Sequence, residues 1–219
     1  MSPLLLSGLL TACGVMNGAR PHPPGQHAVG LTVGGPMLAA AGLVLPLPNA
    51  VLEGRSGMPR LLDRELDVNY GVNLTAIAFG QAGVHVGASW LVLDQQGWRP
   101  ALSVSDRVFL YTNALDNTKS EREWWAATQL ELTASYAVRS HLVWFGVAEA
   151  LDFGNPGLLL SPYVGFQAAP ASDRVRFQLE ARWYGVNKLP EAQNIDWITP
   201  GRGALGVTAG VAVTLGGAE

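Results

Sequence analysis

The sequence predicts an all-β fold, an antiparallel up-and-down β-barrel of about 8–10 strands, and three observations lead there. From His27 onward, polar and apolar side chains alternate with period two, the pattern of a strand with two unlike faces. Short turn-forming stretches separate several of these runs and longer polar stretches separate others, as in a barrel with one end of turns and one of loops. Apolar residues make up 48% of the chain and charged residues only 14%, well below the quarter usual in soluble domains. No apolar run reaches the roughly 18 residues of a membrane-spanning helix, so the apolarity, with mean hydropathy +0.19, is spread thinly over many strands.

Taken in order, weak strand signals open at 29–33 and 38–45, separated by Gly34-Gly35-Pro36, which reads as a strand end or bulge. Residues 46–62 read as a longer loop. In 63–70, Leu66, Val68 and Tyr70 oppose Asp63, Glu65, Asp67 and Asn69; a weaker strand follows at 74–79. In 83–92, Val84, Val86, Ala88, Trp90 and Val92 oppose Gly83, His85, Gly87 and Ser89. Residues 101–111 form another weak strand before a polar loop at 113–123. Leu130, Leu132, Ala134 and Tyr136 then face away from Gln129, Glu131, Thr133 and Ser135. Strands at 142–153 and 159–168 follow, with turns at 139–140, 155–157 and 170–173, and an earlier one at 94–97. The sharpest segment is 174–184, where Val175, Phe177, Leu179, Ala181 and Trp183 oppose Arg174, Arg176, Gln178, Glu180 and Arg182. After a loop at 188–203, the eleven residues 205–215 alternate strictly, long enough to cross a bilayer as a tilted strand. Twenty-six glycines and fourteen prolines favour turns and close strand packing over helices.

The N-terminus carries a separate signal. An apolar run from Met1 leads into Leu10-Thr11-Ala12-Cys13, which resembles the lipobox of a bacterial lipoprotein signal. That resemblance implies cleavage before Cys13 and lipidation of its thiol. Gly14, in place of Asp, then implies export to the outer membrane. The expected division is a signal peptide at 1–12, a flexible Pro/Gly-rich tether at 13–26 and a β-barrel domain at 27–219.

Lipobox and alternation together resemble a small bacterial outer-membrane β-barrel protein with a lipidated N-terminus. The resemblance implies that the apolar rows meet lipid and that the polar rows line a lumen. The aromatic groups Trp124-Trp125, Tyr136, Trp183-Tyr184, Tyr70 and Trp90 with Trp98 fit interfacial girdles.

On that reading Asp63, Glu65, Asp67, Glu131, Arg174, Arg176, Glu180 and Arg182 form a lumen charge network of both signs. The expected role is structural or interaction-forming, with the lumen plugged and no catalysis; the expected partners are membrane lipid and other envelope proteins. Three further functions fit the same pattern. They are a narrow porin-like channel, a periplasmic lipocalin-like binder with Val175, Phe177 and Leu179 turned inward, and a lipid hydrolase or acyltransferase. For the last, His85 and Ser89 share a face with Glu131 or Asp67 in reach, but four residues of strand separate them by ~13 Å, too far for a direct Ser–His hydrogen bond. The net charge of −3 gives no basic field for nucleic acid. The four scattered histidines give no metal-ligand spacing, no cofactor motif is present, and the single cysteine excludes an internal disulfide.

Overall fold

A computed structural model describes residues 18–40, 42–113, 124–153, 157–168, 174–188 and 196–216. Outside them lie the lipobox with Cys13, the signal peptide and most of the expected loop at 113–123. The whole 170–173 turn and parts of the 155–157 turn and of the 188–203 loop are outside too.

The elements are β1 (His27–Ala40), β2 (Leu43–Pro46), β3 (Asn49–Leu61), β4 (Arg64–Asn73), a one-turn helix α1 (Leu74–Ala78), β5 (Gln81–Leu93) and β6 (Ala101–Asn113). After them come β7 (Trp124–Val138), β8 (His141–Asp152), β9 (Leu159–Ala168), β10 (Val175–Tyr184), β11 (Asp196–Trp197) and β12 (Ala204–Leu215). Ten of these strands close an antiparallel barrel. Each wall strand pairs with the next in sequence, and β1 closes the ring by pairing with both β12 (Val29 opposite Val213) and β3 (Leu31 opposite Leu52). Beyond Pro36, β1 leaves the wall and pairs with the two short strands, Ala39 lying opposite Val44 of β2 and Asp196 of β11. The end where β1 begins and β12 finishes has the tight turns Leu62-Asp63 and Arg139-Ser140; the opposite end carries α1, β2 and β11.

Three expectations change. The Gly34-Gly35-Pro36 interruption does not end a strand: β1 runs through it with Gly34 at φ 135°, where a Cβ would lie 2.2 Å from the Val207 carbonyl oxygen. The supposed loop at 46–62 is mostly strand β3. Its alternation is hard to read because Glu53 and Arg55 face in while Gly54 and Ser56 face out. The weak strand at 74–79 is α1, capped by Asn73, whose Oδ1 accepts from the Ala76 amide at 2.9 Å. Leu74, Ala76, Ile77 and Ala78 are all apolar, so the segment offers no period-two contrast, and the asparagine decides.

The barrel is apolar outside and polar inside. Phe177 and Leu179 are 52% and 53% exposed, and the outward rows of the other wall strands, such as Val84 and Val86 or Leu130 and Leu132, are likewise exposed. Asp106 is an outward exception, and its Oδ1 accepts from Thr128 Oγ1 at 2.7 Å. The lipocalin-like orientation of Val175, Phe177 and Leu179 is therefore overturned. The aromatic expectation holds in part: Trp124 and Trp183 lie outward near the α1 end, and Trp90, Trp98 and Tyr136 near the turn end. Trp124 and Tyr136 sit at opposite ends of β7, about 30 Å apart along the barrel axis for a strand tilted roughly 40°. Trp125 and Tyr184 instead point inward, Trp125 stacking on Tyr111 at 4.6 Å, while Tyr70 lies midway along the wall over Gly54.

Inward glycines make room for large lumen side chains on the neighbouring strand. A Cβ on Gly165 would sit 2.1 Å from the Trp144 ring, and one on Gly87 would meet Arg107 Cγ at 2.7 Å.

Candidate functional site

Period two sends Glu131, Gln129, Thr133 and Ser135 of β7 inward together, and the register sets Glu131 beside Ser105 of β6. From β10, Glu180 and Arg182 face in. Across the lumen, Arg182 Nη2 donates to Glu131 Oε1 at 3.0 Å, and Arg182 Nε donates to Glu180 Oε1 at 3.0 Å. Glu131 also accepts from Gln129 Nε2 at 2.6 Å and from Ser105 Oγ at 3.2 Å, and it faces Arg107 Nη1 at 3.4 Å. Trp144 Nε1 donates to Glu180 at 3.1 Å, and the Arg182 guanidinium lies over the Tyr163 ring at 4.6 Å. Arg107 reaches on to Asn69, which donates to Ser89. Two arginines and two glutamates, all nearly inaccessible, thus form a neutral layer across the middle of the barrel. Burying a charge is tolerable only with such pairing and hydrogen bonding.

Toward the turn end the lumen is entered by the chain itself. Gly18–Pro23, part of the expected flexible tether, packs inside, and Pro24 and Gly25 are exposed where the chain leaves the mouth. Ala19 is buried against Leu142, Trp144, Ala148 and Tyr163, and its carbonyl accepts from Ser103 Oγ at 2.8 Å. Arg20 donates to Ser135 Oγ and Gln95 Oε1, and its own carbonyl accepts from Arg55. The His22 amide donates to Asp67 Oδ2 at 3.0 Å, and backbone bonds between Gln26 and Gly57 and between Gly25 and Gly57 tie the exit. The physical reason is width. Eight strands leave an interior just filled by side chains; ten leave more, and this segment occupies it. Burial, reinforced by the neighbouring Arg55 guanidinium, pushes the His22 imidazole down to about 4. Burial likewise lowers Arg20, against the pull of Glu65.

At the α1 end the lumen is closed differently, by Val51, Ala76, Phe109 and Tyr111 with Trp125 packed on them.

Of the eight residues expected as a charge network, Glu131, Glu180 and Arg182 meet in the central layer, and Asp67 pairs with Arg55 at 2.6 Å nearer the mouth. Glu65 and Arg176 line a cavity at the turn-end mouth. Asp63 and Arg174 lie outside the lumen: Asp63 sits with Leu62 in a two-residue turn where both have positive φ, and Arg174 is exposed in the turn before β10. Sequence reasoning missed Arg107, Arg55, Glu53 and the inserted segment. Arg107 shares a row with Ser103 and Ser105, a usable signal, but Phe109 and Tyr111 continue that row and blur it.

The catalytic alternative finds no geometry among its four residues. His85 packs on Phe109 at 5.5 Å, Ser89 accepts from Asn69, and the carboxylates of Glu131 and Asp67 are engaged by Arg182 and Arg55. Among the described residues no helix is long and apolar enough to cross a membrane, a statement that leaves strands aside.

Fold and lumen together define a closed, internally filled β-barrel with an apolar exterior. No protein-family model matches the chain, and no curated protein matches it in sequence.

Proposed function

We propose that this chain works in a bacterial outer membrane as a lipid-anchored, plugged β-barrel, a structural or interaction protein and not an open pore. The observation that carries the reading is the inverted surface: exposed Val, Leu and Phe rows between two outward aromatic girdles, around a lumen crossed by a neutral ion-pair layer. An apolar exterior on this scale is expensive in water, whereas in lipid it is the favourable arrangement, and closure of the barrel leaves no wall strand with an unpaired edge. Cys13, six residues before Ala19, is the expected lipid attachment.

The experiment is reconstitution of the mature chain. It is expected to need detergent or lipid to stay monodisperse, and to give no conductance in planar bilayers. A monodisperse protein in plain buffer would refute the membrane reading, and steady single-channel currents would refute the plug. Mass spectrometry of the mature N-terminus is expected to show a diacylated Cys13.

A further inference from the structure

The mouth at the turn end holds a cavity of about 390 Å³ between the inserted segment and the wall, within the size range of small-molecule sites. Its charge is uneven. Four arginines line it, Arg20 from the segment, Arg55 from β3, Arg139 from the β7–β8 turn and Arg176 from β10, against the two carboxylates of Glu53 and Glu65. Arg55 Nη2 serves both the Asp67 carboxylate and the Arg20 carbonyl, while its buried Nε has no hydrogen-bond partner.

A second observation is independent of charge. Thr214 of β12 faces the cavity, is only 6% exposed, and its Oγ1 has no hydrogen-bond partner. A buried hydroxyl left unmatched carries a desolvation penalty, which a bound group in this cavity would remove. Deeper in the same cavity, opposite Gly210 and so four residues along β12 from Thr214, Gln178 donates to Gln167 at 2.9 Å, leaving amide capacity on both side chains.

We infer that this cavity is a binding site for a small hydroxylated anion, of the class of a sugar carrying a carboxylate or phosphate. The guanidiniums take the acidic group, in the paired geometry that arginine offers to carboxylate and phosphate. Thr214 and the glutamine pair bond the hydroxyls, and Glu53 and Glu65 accept further hydroxyl protons. That last role is why an inorganic anion alone is a poor match. The inference goes beyond the membrane reading and does not depend on it, because the cavity lies inside the barrel.

The test is titration calorimetry on the full mature chain in a zwitterionic detergent, with glucuronate, glucose 6-phosphate, inorganic phosphate and glucose as probes. Binding of glucuronate or glucose 6-phosphate at least tenfold tighter than of glucose and of phosphate is expected. Arg176→Gln should weaken it at least tenfold, with the fold checked by circular dichroism. Thr214→Val, a near-isosteric change, should weaken it severalfold and serves if Arg176→Gln does not fold. Equal binding of all four probes, no binding of either sugar acid, or affinities unchanged in both variants would overturn the site. So would heat appearing only when phosphatidylglycerol is added to the micelle, since that would mark a lipid headgroup as the ligand.

Discussion

The centre of the lumen and its turn-end mouth are built from the same residue types and solve different problems. In the centre Arg107, Glu131, Glu180 and Arg182 come from wall strands, pair with one another and are sealed from solvent. At the mouth, Arg20 and Arg55 are held partly by backbone carbonyls of the inserted segment and of β7, and an open cavity remains beside them. The difference teaches that the barrel is closed twice, once by the wall and once by a removable piece of chain. The second closure leaves polar groups beside an open cavity, where a ligand can reach them.

Breaking the centre should have the largest effect. Arg182→Met removes the shared partner of Glu131 and Glu180 and leaves two buried carboxylates short of a cation. A loss of about 3–5 kcal/mol is expected, read by urea unfolding of the micelle-embedded barrel. Adding Glu180→Gln should recover part of it, because one of the stranded charges is then gone. A loss under about 1 kcal/mol would mean that the layer is wet and not sealed.

Replacing residues 18–24 by a Gly/Ser run tests the mouth instead. The segment's hydrogen bonds to Ser103, Ser135, Gln95, Asp67 and Arg55 are offset by the ordering entropy they require. The net loss should be smaller, about 2–3 kcal/mol at roughly 0.5–1.5 kcal/mol per bond. The variant should still be silent in planar bilayers, since the central layer is untouched. Conductance on removing the segment alone would make the mouth the true gate and erase the distinction.

How far this was legible in the sequence follows from where period two is clean. β10 and β12 carry unmixed faces, so their orientation and the inward placement of Glu180 and Arg182 could be read directly. β3 could not, because its inward Glu53 and Arg55 alternate with outward Gly54 and Ser56, erasing the contrast between faces. The inserted segment was illegible for another reason. Pro21, Pro23, Pro24 and Gly25 describe a chain without regular structure, and composition cannot distinguish an extended chain in solvent from one inside a barrel. Only the strand count, which sets the lumen's width, shows that there is room for it.

The smallest effect follows from His22, and it sharpens the comparison because it acts at the mouth alone. The imidazole is 7% exposed and bonded through Nδ1 to Gln26 Oε1 at 2.9 Å. Of the charged groups that act on it, Arg55 on β3 and Arg176 on β10 oppose protonation, and Asp67 on β4 favours it. With the docked imidazole at about 4 and the ordinary value at 6.5, docked and released segments are both neutral above pH 6.5, and pH has no effect there. As pH falls from 6.5 toward 4, the released segment takes up its proton first, so docking weakens. Below about 4 both forms are charged and the loss levels off. At pH 5 the effect is of the order of 2 kcal/mol, within what the whole segment contributes. Hydrogen exchange of the Gly25 and Gly57 amides, which hold the segment's exit, should therefore quicken between pH 6.5 and 5 beyond the intrinsic trend, while amides of β7 beside Glu131 do not change. His22→Asn should flatten the mouth response. Acceleration at β7 of equal size would show that acid loosens the whole barrel and that the two closures are one.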